Sequence, residues 1–377
     1  MTGKPHLVIV AGEDSGDLHG ANLALALQKQ QPGIHLSGIG GQRMRQAGVE
    51  IVFPSDRLAV VGIAEVLSRI SDIWAGRKAI ITHLRQQQPQ LLVLIDFPDF
   101  NLNLVAPSAR RLGIPIVYYI SPQVWAWRRG RIKSIDQRVE KILVILPFEE
   151  EFYRQHGVRA EYVGHPLLDE YQDFSPRPKR ERQNTIALIP GSRSGEIKRL
   201  LPLMLTVAQL YRRRRPETRF IIPAAPSVAS TFISSMIPQT LAEHITLGHG
   251  GLPQALEKVA FALVASGTAT LECALAQVPM IVLYRVNPLS YEIGRRLISV
   301  PCISLVNLIA EQKIVPELIQ HEARPELVSA ALRLNYENHT NYIATRTALK
   351  ALKTKLGKPG GAGRAAAAIL EVWKQHG

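Results

Sequence analysis

The feature that most constrains this chain is the recurrence of strand-length apolar runs that are nearly continuous rather than alternating. They lie at residues 6–11, 91–95, 114–120, 142–146, 185–189, 220–223, 260–264 and 280–283. An alternating strand leaves one face wet, whereas a continuously apolar strand has to be covered on both faces. Helix-length segments separate the runs, at 22–29, 66–86, 200–213 and 269–276 among others. That alternation predicts an α/β fold with doubly wound parallel sheets.

A length of 377 residues suggests two such units at about 150 residues per domain. The apolar rhythm breaks at 166–184, where Asp, Ser, Pro, Lys and Arg take over. Each half opens with strand, Gly/Ser turn and helix, at 8–22 and 187–200. The expected organisation is a first domain over 1–165, a linker over 166–184 and a second domain over 185–358. Ligands of open α/β sheets bind beyond the carboxyl ends of the strands, so two Rossmann-like domains are expected to face a central cleft.

Composition narrows the class. With 46% hydrophobic and 20% charged residues, disordered and collagen-like chains are excluded. Cys273 and Cys302 are the only cysteines, which fits a reducing compartment and no disulfide scaffold. The N-terminus runs into an apolar strand without signal-peptide features, so a cytoplasmic location is expected. Forty-five Lys+Arg against 31 Asp+Glu leave a charge of +14, which predicts an anionic partner: nucleic acid, headgroups or phosphorylated metabolites. The uncharged stretch 220–242 is broken by three prolines, so any membrane contact is expected to be peripheral.

The chemistry-bearing residues follow strands. Gly12-Glu13-Asp14-Ser15-Gly16-Asp17 comes after the first one. A dinucleotide loop keeps carboxylates away from the pyrophosphate, so Glu13 and Asp17 suit a hydroxylated ligand such as a sugar, with helix capping by Ser15 or Asp17 as the alternative. Asp96-Phe97-Pro98-Asp99-Phe100-Asn101 ends another strand. A carboxylate beside apolar groups holds its proton more tightly and can accept one from an attacking hydroxyl, and Asp99 is the candidate base, with Asp96 on the same loop and capping as the alternative role. Trp125 and Trp127 then interleave with Arg128, Arg129 and Arg131, a pattern for stacking a base or sugar, for a lipid interface or for packing.

In the second half, Gly191-Ser192-Arg193 lets backbone N–H groups and a guanidinium approach a phosphate, without a Walker lysine. Gly267-Thr268 opens a helix with Glu272 one turn on, which suits a diphosphate followed by a ribose. Residues 58–74 are unusually apolar, and Val60, Val61, Ile63, Val66, Leu67 and Ile70 are either core or a patch for acyl chains and a membrane.

Seven ordered blocks resemble the lipid A disaccharide synthase family of bacterial GT-B glycosyltransferases. They are residues 11–17, 40–44, 95–101, 121–128, 146–149, 190–193 and 265–272. The resemblance covers almost the whole chain. It implies a GT-B fold in which a helix at about 360–377 packs back on the first domain. It also implies transfer of 2,3-diacylglucosamine from its UDP derivative to O6 of 2,3-diacylglucosamine 1-phosphate, with inversion, without metal or cofactor, on the cytoplasmic face of the inner membrane. Asp99 and Arg193 would be catalytic. Ser192, Arg193, Gly267, Thr268, Glu272 and Asn307 would bind the donor, and Glu13, Ser15, Gly16, Asp17, Asp96, Asn101 and Gln123 the acceptor. The 304–308 segment departs from the family's Ser-Leu-Pro-Asn-Leu at Val306, and Asp14 stands where a small residue is usual. Oligomeric state stays open, a homodimer included. The rivals are a UDP-GlcNAc 2-epimerase or a GT-B transferase with a soluble acceptor and, more distantly, a nucleic-acid-binding protein suggested by Arg212 to Arg215 and the tryptophans; the resemblance implies no nucleic acid.

Overall fold

The computed structural model describes residues 5–58, 70–126, 130–177, 179–182, 184–224, 228–248, 251–287, 291–292 and 300–376. It divides into two compact units, 1–166 with 358–377, and 167–357.

The first unit carries a 7-stranded sheet: β1 (His6–Ala11), β2 (His35–Gly40), β3 (Glu50–Pro54), β4 (Leu91–Ile95), β5 (Ile116–Tyr119), β6 (Lys141–Val144) and β7 (Ala160–Tyr162). Its spatial order is β3-β2-β1-β4-β5-β6-β7, and every pairing is parallel. The second unit carries a 6-stranded sheet: β8 (Thr185–Ile189), β9 (Arg219–Pro223), β10 (Ile245–Gly248), β11 (Phe261–Ala265), β12 (Met280–Tyr284) and β13 (Glu317–Ile319). Its order is β10-β9-β8-β11-β12-β13, again all parallel. Both orders reverse direction after the first strand, between β1 and β4 and between β8 and β11, and such reversals open the crevice in which ligands sit.

The eight apolar runs are strands, and the five strands outside them are β2, β3, β7, β10 and β13. Four of those five are sheet edges. An edge is covered less completely, so its sequence need not be continuously apolar, and β7 and β13 are only half-buried. The fifth, β2, is masked by Ser37, Gly38 and Gly40.

Burial explains the continuous runs directly. Leu7 and Ile9 of β1 enter one core and Val8 and Val10 enter another, on opposite faces of the sheet. The first core is closed by α1 (Asp14–Gln30), through Leu23 and Leu27, and by the C-terminal helix α2 (Gly361–His376), through Ala365, Ile369 and Val372. Arg364 Nε donates to the Val163 carbonyl at 2.8 Å and Lys141 pairs with Glu371 at 3.1 Å. A Cβ on Gly361 would lie 3.0 Å from the Gly164 carbonyl oxygen, which is why the helix begins on glycine. The stretch expected as a linker is partly built into the second unit: Leu168 and Tyr171 are buried and the Tyr171 hydroxyl donates to Glu272 at 3.0 Å.

Three histidines gather at the amino-terminal edge of the first sheet. His6 Nε2 and His83 Nε2 each lie 2.7 Å from the Ser37 hydroxyl oxygen, His35 stacks on His6 with ring centroids 4.2 Å apart, and Glu50 lies 3.1 Å from His35. Burial, then the neighbouring rings, lowers His6 to about 4, with Glu50 opposing. A histidine whose folded pKa lies below its unfolded value, about 6.5, binds fewer protons when folded, so its neutral form supports the fold above that pH. The loss therefore sets in as pH falls below about 6.5 and is complete near 4. Allowing for partial screening, it is on the order of 1–3 kcal/mol. Chemical denaturation at pH 7.5 and 5.0 should show this loss, and His6→Gln should reduce the pH dependence; an unchanged dependence would sink the assignment.

Candidate active site

Each unit carries its own cluster of candidate residues at the reversal of its strand order. In the first unit, β1 and β4 end side by side, with Ala11 opposite Ile95. Beyond Ile95 the backbone turns left-handed at two successive non-glycine residues, Asp96 (φ 42°) and Phe97 (φ 48°). Such residues cost about 1–3 kcal/mol each and persist only where the surroundings hold them.

Here the holding groups are visible. Buried Asn101 donates from Nδ2 to the carbonyls of Ile95 at 3.2 Å and Asp96 at 2.8 Å. The buried Tyr118 hydroxyl also donates to the Asp96 carbonyl, at 2.5 Å, and the Asp96 N–H donates to the Tyr119 carbonyl at 3.2 Å. On the other side the Phe97 ring lies over Gly12, where a Cβ would meet Cδ1 at 2.1 Å. Glycine at 12 is therefore required by the turn at 96–97, 84 residues away in sequence.

The turn distinguishes the two aspartates. Asp96 is largely buried and is pushed up to about 6, first by burial and then by the nearby Glu13 charge, with the Phe97 N–H opposing. Asp99 is 69% exposed and is ion-paired with Arg131. A desolvated carboxylate poised at about 6 accepts a proton near neutral pH.

The other residues expected at the acceptor divide into two groups. Half-buried Glu13 precedes α1, Ser15 is exposed in its first turn, and exposed Gln123 lies on the loop after β5. Asp17 is spent elsewhere: its buried carboxylate accepts from the N–H groups of Gly41 at 2.6 Å, Arg43 at 3.0 Å and Met44 at 3.1 Å. It caps the short helix Gln42–Gln46, which replaces both the expected ligand contact and the alternative of capping its own helix. Asn101 serves the turn through Nδ2, while its buried Oδ1 has no hydrogen-bond partner among the described residues. Gly16 is buried, where a Cβ would lie 3.3 Å from Ala11 Cβ.

Trp125 is a packing residue. Its Nε1–H donates to Glu149 Oε1 at 3.0 Å and its ring meets Phe148 edge to face at 5.0 Å. Glu149 Oε2 accepts from the N–H groups of Leu146 at 2.9 Å and Ile145 at 3.3 Å, and burial pushes this carboxyl up to about 7. Sequence reasoning assigned Glu149 no role, although Pro147 at the first helical position with Glu149 two residues later is a readable helix-start signal. Trp127, Arg128 and Arg129, and Val60, Val61, Ile63, Val66 and Leu67, lie outside the described residues. Ile70 and Trp74 of the helix Ile70–Gln87 are 41% and 54% exposed.

In the second unit, β8 and β11 end side by side, with Ile189 opposite Val264. Gly191 is left-handed (φ 111°), and a Cβ there would meet Glu196 Oε2 at 2.3 Å. Ser192 and Arg193 follow, leading into α3 (Ser194–Arg212). The Arg193 side chain is 61% exposed, 3.6 Å from Glu196, so its guanidinium can reach an incoming anion. After β11, Gly267 has open space where a Cβ would sit, and Thr268 begins the helix Thr268–Leu275. Glu272, one turn on, is pushed up to about 7 by burial while accepting from Tyr171.

Asn307 is differently placed from the expectation. It is fully buried, its Nδ2 donates to the Val315 carbonyl at 2.9 Å and Glu317 Oε1 at 2.8 Å, and its Oδ1 accepts from Ile314 N at 2.9 Å and Val315 N at 3.1 Å. All four bonding positions of the amide are filled. It holds the turn into β13, beside buried Val306.

Residues 7–370 match the family model described as Lipid-A-disaccharide synthetase. The Lipid-A-disaccharide synthase of Syntrophus aciditrophicus is 44% identical over 376 residues, covering 98% of this chain and 98% of that one. Among solved structures, the UDP-GlcNAc 2-epimerase from Neisseria meningitidis bound to UDP-GlcNAc aligns with a TM-score of 0.62 at 12% identity, covering 98% of this chain and 100% of that one. Acinetobacter baumannii MurG aligns with 0.54 at 15%, covering 97% and 99%. At these identities the two structures speak for the fold alone.

The internal use of Asn307 predicts that Asn307→Ala acts on stability. Leaving the buried Val315 N–H unpaired, with the Val315 carbonyl losing its donor, should cost about 1–3 kcal/mol in urea unfolding. An unchanged midpoint would return Asn307 to the ligand-contact role.

Proposed function

Because the chain belongs to the lipid-A-disaccharide synthetase family, and is thereby a UDP-sugar glycosyltransferase of the GT-B fold, we propose a specific reaction for it. The donor is UDP-2,3-diacylglucosamine and the acceptor is 2,3-diacylglucosamine 1-phosphate. The acceptor O6 attacks the donor anomeric carbon from the face opposite the diphosphate. The new C–O bond forms as the bond to the β-phosphate oxygen breaks, UDP leaves, and the O6 proton passes to a carboxylate. One displacement inverts the centre and gives the β-1,6 disaccharide 1-phosphate.

The base in this reading is Asp96 rather than Asp99. The observation that carries it is the elevated proton affinity of Asp96 at the end of β4, on a turn held by Asn101, Tyr118 and the Phe97–Gly12 contact. Asp99 is left to hold Arg131. In the donor half, Arg193 and the N–H groups around Ser192, Gly267 and Thr268 would take up the charge growing on UDP, where preorganised donors contribute most. Glu272 would accept from the ribose hydroxyls. Glu13, Ser15 and Gln123 are the remaining acceptor candidates. The chemistry asks for no metal, because the cation and N–H groups can neutralise the diphosphate themselves.

Acylated substrates would bring the enzyme to the cytoplasmic face of the inner membrane as a peripheral protein. The +14 charge supports that placement, and no helix among the described residues is long and apolar enough to cross a membrane.

UDP release by the purified protein in EDTA should require the acceptor, with a phosphorylated disaccharide identified by mass. No release despite UDP binding would remove the proposed acceptor. Asp96→Asn should lower kcat about 10²–10⁴-fold, the usual range for a general base, and keep UDP affinity. Asp99→Asn should cost much less; the reverse order would restore Asp99 as the base. The base must be deprotonated to act, so activity should fall as pH drops through about 6, a limb that Asp96→Asn should abolish.

A further inference from the structure

The four consecutive arginines Arg212 to Arg215 have no part in the reaction above. They lie at the carboxyl end of α3, 19 residues from Arg193 at its start, or about 28 Å at 1.5 Å per residue. The carbonyl end of a helix is complemented by a single cation, so four exceed that need. Two of them have local work. Arg212 donates from Nη2 to the Pro216 carbonyl at 3.1 Å, and Arg215 lies 3.7 Å from Glu337. Arg213 and Arg214 make no ion pair among the described residues.

Beside them lies a pocket of about 360 Å³ lined by Gln209, Arg212, Arg213, Thr240 and Leu241. That volume falls at the small end of the ligand-site range of about 300–1,000 Å³. No carboxylate lines it among the described residues. Every polar side chain around it can donate. Arg212 Nε is buried and has no hydrogen-bond partner, and Arg213 is exposed. Gln209 Nε2 donates to the Thr240 hydroxyl oxygen at 3.2 Å, which leaves the hydroxyl proton of Thr240 free to point elsewhere. Two guanidinium groups, a hydroxyl and an amide with no competing acceptor charge match a compact, multiply charged oxyanion, since guanidinium binds phosphate through paired, charge-assisted bonds.

We propose that this pocket is a second phosphate-binding site, separate from the donor turn at the other end of α3 and taking a phosphate-bearing anion as its ligand. The anion is either a free phosphate compound or a phospholipid headgroup, both of which present the same oxygens.

The test is calorimetric titration of the full chain with inorganic pyrophosphate at low ionic strength. Arg193→Ala serves as the background, so that the donor turn does not contribute. Adding Arg212→Gln and Arg213→Gln should weaken binding at least about tenfold, as expected for losing charge-assisted contacts. Arg213→Gln alone, at an exposed position that leaves the core untouched, should weaken it measurably and guards against a folding defect in the double change. Unchanged pyrophosphate affinity in these variants overturns the site, whatever else they bind, a single-stranded oligonucleotide included. Cosedimentation with phosphatidylglycerol-containing and pure phosphatidylcholine vesicles identifies the source. Parallel loss of binding to the anionic vesicles assigns the site to headgroups, and retained vesicle binding assigns it to a free phosphate compound.

Discussion

Burying both faces of a parallel sheet is the constraint on which the rest of this protein depends. A strand with Leu7 and Ile9 in one core and Val8 and Val10 in another has no position for a functional polar group. Polar chemistry is displaced to the carboxyl ends, where the chain must turn into a helix and where N–H groups converge. The same constraint recruits the C-terminal helix, because the face built on Leu7, Leu23 and Leu27 is closed by Ala365, Ile369 and Val372 from the far end of the chain.

Much of the polar content of the motifs is then spent holding these ends in shape. Asp17 caps a neighbouring helix, Asn101 holds the Asp96 carbonyl, Asn307 fills all its bonds in the turn before β13, and Glu149 holds Trp125. A buried polar group without partners is costly, and Asp17, Asn307 and Glu149 are accordingly committed, whereas Asn101 keeps an unpaired Oδ1 among the described residues. Glu13, Ser15, Gln123, Arg193 and Thr268 at the strand ends keep part of their surface open to solvent.

Asp96 stands between these two kinds. Its carbonyl is held by two donors, its N–H donates to Tyr119, and its carboxyl is half-withdrawn from water beside the Glu13 charge. A loop carrying this geometry would relax if it were not over-determined. Strain at 96–97, the close approach at Gly12 and the raised proton affinity therefore belong to one local arrangement.

The sequence by itself determined the fold class, the division into two units and the glycine-bearing turns at the strand ends. Continuous apolar runs and glycine-bearing strand ends are properties of neighbouring residues and follow from local sterics and burial. It under-read the edge strands, whose partial exposure weakens the apolar signal, and it did not see β2 behind its serine and glycines. Which aspartate is withdrawn from water was decided only by the tertiary structure. The shift at Asp96 comes from burial and from Glu13, remote in sequence, and desolvation is a property of the space around a group rather than of its neighbours in the chain. The roles of Asp17 and Asn307 were decided in the same way, since whether an oxygen faces a ligand or a backbone N–H depends on which distant segment folds against it.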